Sequence, residues 1–195
     1  MDREIEKQIE EAKKVIEDGG IVVFPTETAY GIAADVTDEE AVEKVYEAKQ
    51  RPRSKGLTAI VDSLETAEQY ADLSESEKKI IREFMPGPLT LVAGKKDSVP
   101  DNLNEDFAFR ISSGEVADEL SEVGPITATS ANISGNETSY SVEDISDELL
   151  EEVDYVIDAG TLSKGPTSTI AEVVEGEVVV HREGPIKKKE LEKVI

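Results

Sequence analysis

The chain has 195 residues, enough for one large domain or two small ones with a substantial core. Its 44 acidic and 21 basic residues give a net charge of −23, which argues against an extended nucleic-acid footprint built on Lys and Arg but leaves room for a local basic pocket. With no cysteine and a single histidine, His181, the sequence excludes disulfides, a thiolate nucleophile, zinc–sulfur sites and histidine metal clusters.

Residues 3 to 17 place Ile5, Ile9, Ala12, Val15 and Ile16 at helical spacing, and Gly19-Gly20 ends that amphipathic helix. Ile21 to Phe24 reads as a buried strand that opens at Pro25 into a polar loop. Thr37 and Glu40 form a T-x-x-E capping box for a helix with Ala41, Val42, Val45 and Tyr46 on its apolar face and Lys49 in its last turn. Lys49, Arg51, Arg53 and Lys55 then form a basic turn that is out of character in so acidic a chain, and Pro52 prevents the helix from continuing.

Leu57 to Val61 is a second strand, and Ser63 and Ser74 cap two acidic helices, the second burying Ile80, Ile81 and Phe84. The MPGP turn, Met85 to Pro88, leads into a strand at Leu89 to Ala93; Asp97 to Glu105 is loop, and Phe107 to Ile111 is a strand carrying Arg110. Ile126 to Thr129 is a further strand running into Ser130 to Asn136, and Ser141 opens a helix through Leu150. Strands follow at Tyr155 to Ile157, Ser168 to Val174 and Val178 to His181, the last two joined by a Glu175-Gly176 hairpin turn, before a basic helical end at Lys187 to Lys189.

These elements predict an α/β fold: a single domain over residues 1–195, with helices packed on a twisted mixed sheet of parallel and antiparallel strands around a concave cationic cavity. No apolar run reaches the roughly 18 residues of a membrane span and the N-terminus is charged, so no membrane contact and a cytoplasmic location are expected. Lys49, Arg51, Lys55, Arg110 and Arg182 lie at strand ends or turns, where they can converge on an anion. Arg110 sits in an apolar strand and needs a bound anion or a carboxylate partner there.

Two hydroxyl-rich islands, Thr26 to Thr28 and Thr127 to Asn132, offer uncharged hydrogen bonds to a ligand or to their own backbone. Glu27 reads equally as a base, a magnesium ligand or a salt-bridge carboxylate, and His181 as an exposed strand residue. Neither a P-loop nor a G-x-G-x-x-G motif is present, so the residues alone reach a polar, cation-lined pocket for an anionic metabolite.

In order along the chain, FPTETAYGIA (24 to 33), KQRPRSKGL (49 to 57), MPGPLTLV (85 to 92), FAFRI (107 to 111), TSANISG (129 to 135), PTSTI (166 to 170) and HREG (181 to 184) resemble the YrdC-type threonylcarbamoyl-AMP synthases. The resemblance covers about residues 5 to 186, without the additional C-terminal domain of the longer members. It implies condensation of L-threonine, bicarbonate and ATP, with Mg2+, to threonylcarbamoyl-AMP and pyrophosphate. A separate tRNA-modifying transferase complex would consume the adenylate, with weak or no direct RNA binding by this chain.

The resemblance maps Lys49, Arg51, Ser130 and Asn132 onto the catalytic, nucleotide-facing positions, with Lys55, Thr138 and Arg182 completing the ATP site; the metal ligands stay open. It maps Thr28, Arg110 and Ser168, with the backbone at Ala128, onto the threonine site. Three departures stand out: Ile60 where many members carry histidine, Ser112-Ser113 in place of an Arg-x-Pro-x-x-Pro-like segment, and Arg182-Glu183-Gly184 in place of Arg-Pro-Gly. The first removes an expected threonine contact. Alternatives are an RNA- or nucleotide-binding module without synthase activity, and adenylation of another carbamoyl donor, as in hydrogenase-maturation carbamoyltransferases.

Overall fold

The run around Val22 is apolar at every position because both faces of the strand are buried. The computed structural model describes residues 2–195. In it, Val22 and Phe24 of β1 (Val22–Pro25) pack with Ile9, Ala12 and Ile16 of α1 (Arg3–Glu17), while Ile21 and Val23 enter the main core on the opposite side. The segment after Pro25, expected to stay a loop, turns back at once as β2 (Tyr30–Ala33), antiparallel to β1 with Pro25 opposite Tyr30. Thr26 makes that turn: its hydroxyl donates to the Ala29 carbonyl at 2.7 Å and accepts from the N–H groups of Thr28 and Ala29, both at 3.2 Å.

The strands divide into two hydrogen-bonded sheets. The first contains, in spatial order, β8 (Thr129–Ser130), β2, β1 and β9 (Tyr155–Val156), with only the β1–β9 pair parallel. The second runs from β11 (Glu177–Arg182) through β10 (Thr169–Val174), β5 (Leu89–Lys95), β6 (Phe107–Ile111) and β3 (Ala59–Val61) to β7 (Ile126–Thr127). There β10–β5 and β3–β6 are parallel and the other pairs antiparallel; β4 (Ala71–Asp72) pairs antiparallel with β5. The mixed α/β class expected from the sequence therefore holds, with the closing β10–β11 hairpin in place.

The helices have the caps their sequences ask for, with one correction. At α4 (Glu75–Phe84), Ser74 and Glu77 form a reciprocal capping box. At α2 (Glu39–Ala48) the expected Thr37–Glu40 box does not form: Asp38 is the N-cap, accepting from the Glu40 and Ala41 N–H groups, and Thr37 instead donates its N–H and its hydroxyl to Asp35, each at 2.7 Å. A carboxylate one residue closer to the helix outcompetes the hydroxyl for the same orphan N–H groups. Ser63 caps α3 (Leu64–Tyr70) as expected, while α5 (Glu115–Leu120) was not foreseen and buries Ala117 and Leu120 beside α1. The stretch from Ser141 to Leu150 splits into a 3-10 turn at Val142–Asp144 and α6 (Asp147–Leu150); α7 (Lys188–Leu191) ends the fold.

The two sheets are tied where the chain passes from one to the other. β7 ends at Thr127 on the edge of β3, and β8 begins at Thr129 on the edge of β2. Between them the Ala128 N–H donates to the Thr58 carbonyl at 2.7 Å. The Thr127 hydroxyl, fully buried, donates to the Ile32 carbonyl and accepts from the Ala34 N–H, both at 3.0 Å. Replacing Thr127 by the isosteric Val should leave the buried Ala34 N–H without its hydroxyl partner, lowering unfolding stability in urea by about 1–3 kcal/mol; a loss below about 0.5 kcal/mol would show that the link between the sheets does not depend on it.

Candidate functional site

A cleft of about 580 Å³ lies against both sheets, lined from the first by Thr26, Thr28, Tyr30, Gly31 and Ser130 and from the second by Thr90, Ala108, Arg110, Ser168 and Arg182. That volume is in the range of small-molecule sites. Of the residues expected at a site, Thr28, Arg51, Lys55, Arg110, Ala128, Ser130, Thr138, Ser168 and Arg182 all line it. Segments more than 150 residues apart are thus brought to one place, with Glu105 and Asp106 as the acidic side chains of the lining.

The basic turn owes its shape to the end of α2. Gln50 takes φ +48°, the Gln50 N–H reaches Glu47 and the Arg51 N–H reaches Tyr46, both at 2.9 Å, which is a Schellman ending without the usual glycine. A left-handed non-glycine residue costs on the order of 1 kcal/mol. The reversal separates Lys49 from Arg51. Arg51 goes to the cleft, where its Nε donates to Gly56 O at 2.9 Å and its Nη2 to Lys55 O at 3.1 Å, leaving the rest of the fork open. Gly56 sits at φ +55°, and a Cβ there would fall 1.6 Å from the Asn104 Oδ1, which accepts from the Leu57 N–H at 2.9 Å. Asn104, from the loop after β5, therefore fixes the turn and also lines the cleft.

Lys49 and Asn132, expected to face the nucleotide, are instead packed behind the wall. Lys49 is 1% exposed; its ammonium donates to the Asn132 carbonyl at 2.7 Å and to the Ser130 carbonyl, so it holds the Ser130–Asn132 turn from beneath. Burial pushes its pKa from the ordinary 10.5 down to about 7, with Arg51 adding repulsion. The Asn132 amide is spent within the same loop: it donates to Ile133 O and Asn136 O, both at 2.9 Å, and its oxygen accepts from the Ser130 hydroxyl. The physical reason is the helix period, since Lys49 continues the apolar stripe of Val42, Val45 and Tyr46.

At the other end, Arg110 finds the carboxylate partner its burial requires in Glu27. Burial lowers the guanidinium's pKa and Glu27 opposes the shift. This decides among the readings of Glu27 for the ligand-free protein: it is a salt-bridge carboxylate. Arg182 donates from Nε to Ser168 O at 3.0 Å and from Nη2 to the Ser168 hydroxyl at 3.1 Å, and Ser168 pairs with Thr90 at 2.9 Å. Gly184 lets this wall close, because a Cβ there would stand 2.5 Å from Thr167 O and 2.6 Å from Thr169 N. Glu183 in place of a proline leaves that contact intact.

Ile60 does not leave a gap in the cleft. It is fully buried in the cluster with Ala117, Leu120 and Ile126, and Leu57 and Thr58 are the residues of that segment that line the cavity. Of the Ala128 backbone, expected at the threonine site, the N–H is committed to Thr58 O. Sequence reasoning missed Thr58, Thr90 and Tyr140 as lining residues; Lys164 stands over the Tyr140 ring at 5.0 Å. His181 is half-exposed and pairs with Glu172 on the neighbouring strand, away from the cleft lining.

Residues 14–184 match the profile of the Sua5/YciO/YrdC family, which is described as "Telomere recombination". A putative threonylcarbamoyl-AMP synthase of Methanocaldococcus jannaschii is 42% identical over 96% of this chain and 91% of its own length. The crystal structure of Pyrococcus abyssi Sua5 complexed with L-threonine superposes with a TM-score of 0.88 at 36% identity, covering 96% of this chain but 57% of that longer one. Escherichia coli YciO superposes with a TM-score of 0.83 at 26% identity over 95% of this chain and 93% of its own. The chain belongs to the Sua5/YciO/YrdC family.

Proposed function

We propose that the chain is a threonylcarbamoyl-AMP synthase, joining L-threonine, bicarbonate and ATP. The observation that carries this reading is the single cleft in which the Arg51–Ser130 side and the Arg110–Ser168 side face the same space. The names of the relatives and the threonine-bound Sua5 structure support it.

In this reading the ATP phosphates lie against Arg51, Lys55 and Arg182, with Thr138 donating a hydroxyl hydrogen bond and the Ser130 oxygen, whose proton goes to Asn132, left to accept one, while Lys49 and Asn132 act by shaping the Ser130 turn. Threonine lies against Arg110, Thr28 and Ser168, its carboxylate taken by the Arg110 fork. Its amine and bicarbonate give a carbamate with loss of water. A carbamate oxygen then bonds to the α-phosphorus as the bond to the β-phosphate oxygen breaks and pyrophosphate leaves. The protein supplies alignment and charge neutralisation, with no covalent nucleophile needed.

Magnesium would come bound to the ATP phosphates, which it screens. Among the described residues no group of three or more His, Asp or Glu is poised to hold a metal, and the carboxylates lining the cleft are Glu105 and Asp106. That set fits an ion that keeps several waters and takes its other ligands from phosphates, the usual habit of Mg2+. The product is handed to a separate tRNA-modifying complex. A net charge of −23 around a small concave site favours a small-molecule ligand over a direct RNA footprint, and among the described residues no helix is long and apolar enough to cross a membrane.

Purified protein with ATP, Mg2+, bicarbonate and L-threonine should release pyrophosphate only when threonine is present; release that ignores threonine would overturn the reading. Arg51→Ala should lower kcat/KM for ATP about 100-fold, about 2.7 kcal/mol of transition-state stabilisation, while costing only about 1 kcal/mol in folding stability. Lys49 gives a pH test with a definite sign. Its folded pKa of about 7 lies below the ordinary 10.5, so between those values the unfolded chain holds a proton that the folded chain lacks, and Lys49 makes stability rise with pH. Urea unfolding at pH 7 and pH 9 should show that rise in the wild type and a flatter profile in Lys49→Met.

A further inference from the structure

The Arg110–Glu27 pair is built more elaborately than neutralising one buried charge requires. The Arg110 side chain is 8% exposed and that of Glu27 21%, and Nη1 of Arg110 donates to Oε1 of Glu27. The second carboxylate oxygen is also taken: Glu27 Oε2 accepts from the Ser112 hydroxyl at 2.6 Å, and that hydroxyl accepts from the Gly114 N–H at 3.2 Å. A Cβ at Gly114 would lie 3.3 Å from both Glu27 Oε2 and the Glu27 backbone nitrogen, so the loop after β6 closes directly over the carboxylate. Arg110 lines the cleft and Glu27 does not.

Across from it, Arg182 is anchored on Ser168, and its pKa is lowered first by burial and then by Arg110, so the two guanidinium groups repel. Among the described residues Glu27 is the only carboxylate paired with either arginine. It holds one end of the Arg110 fork on the side away from the cleft. A guanidinium fixed at one nitrogen keeps its planar fork in one orientation, whereas an unanchored one would spend binding energy on being ordered.

Resting on the threonine reading above, we infer that Glu27 is a positioning residue for the amino-acid substrate, with the Ser112–Gly114 loop as its support. Glu27 sets the Arg110 fork so that its remaining donors face the cleft and take the substrate carboxylate. It touches no reacting atom. The same β1–β2 turn carries Thr28 into the cleft, so one turn places both a donor and the carboxylate that aims Arg110.

The test is pyrophosphate release with threonine and ATP varied separately, in the wild type and in Glu27→Ala, Glu27→Gln and Ser112→Ala. Glu27→Ala should raise KM for threonine at least about tenfold while KM for ATP stays within about twofold, a split that a general loss of folding would not produce. Gln can still accept from Arg110 through its oxygen and donate to Ser112 from its nitrogen, so Glu27→Gln should recover most of the loss. Ser112→Ala should raise KM for threonine about threefold, as expected for one lost supporting hydrogen bond. If Glu27→Ala fails to fold, Ser112→Ala decides, because it leaves the ion pair in place. An unchanged threonine KM in the folded variants, or an equal rise for both substrates without rescue by Gln, would overturn the inference. A wild type that shows no threonine dependence overturns the proposed function, and the role of Glu27 falls with it; that failure appears before any substitution is made.

Discussion

The cleft exists because one short segment changes sheets. From Thr127 to Ser130 the chain leaves the edge of β3 and joins the edge of β2, and this transfer leaves a gap between the sheets that side chains from both can enter. Two buried polar contacts make the transfer possible. The Thr127 hydroxyl satisfies the backbone of β2 on one side, and the Lys49 ammonium gathers the Ser130 and Asn132 carbonyls on the other. Buried carbonyls at a strand end need donors, and Lys49 supplies them without a water-filled gap. The SAN turn is therefore built from helix α2, and the distance from that turn to Arg51 is set within one helix ending.

The charges of the site follow the same economy. Each arginine at the cleft is held at part of its donor set by the protein and left open at the rest: Arg51 by the carbonyls of its own turn, Arg182 by Ser168, and Arg110 by Glu27. Only Arg110 is neutralised by a carboxylate, and it is also the most buried of the three, as desolvation demands. Arg51 and Arg182 keep open charge facing the cleft, suited to phosphates, while the Arg110 end is suited to a single carboxylate. One cavity thus offers two anion sites of different strength, which matches a nucleotide triphosphate beside an amino acid.

Much of this was legible in the sequence, because turns and strand ends carry their own chemistry. The apolar runs, the Ser63 and Ser74 caps and the Glu175-Gly176 hairpin gave most helices and most strands. The need of Arg110 for a partner followed from its place in an apolar strand, though nothing in the spacing pointed to Glu27, 83 positions away. What was not legible depends on tertiary partners. β2 is four residues long and contains a glycine, so only its pairing with β1 and β8 makes it a strand. Lys49 was read as a ligand from its place at a basic turn and from the family resemblance, yet its step of four from Val45 placed it on the buried face; the helical period was the better guide. Ile60 looked like a missing contact until its register showed that its side of β3 faces α5.

A crystal structure with L-threonine and a non-hydrolysable ATP analogue bound tests the central claim most directly, since the claim is that one cleft between two sheets holds both. The expected density shows the phosphates beside Arg51 and Arg182 and the threonine carboxylate on Arg110, with Glu27 still behind it. Either ligand outside this cleft, or a threonine carboxylate that does not meet Arg110, would contradict it.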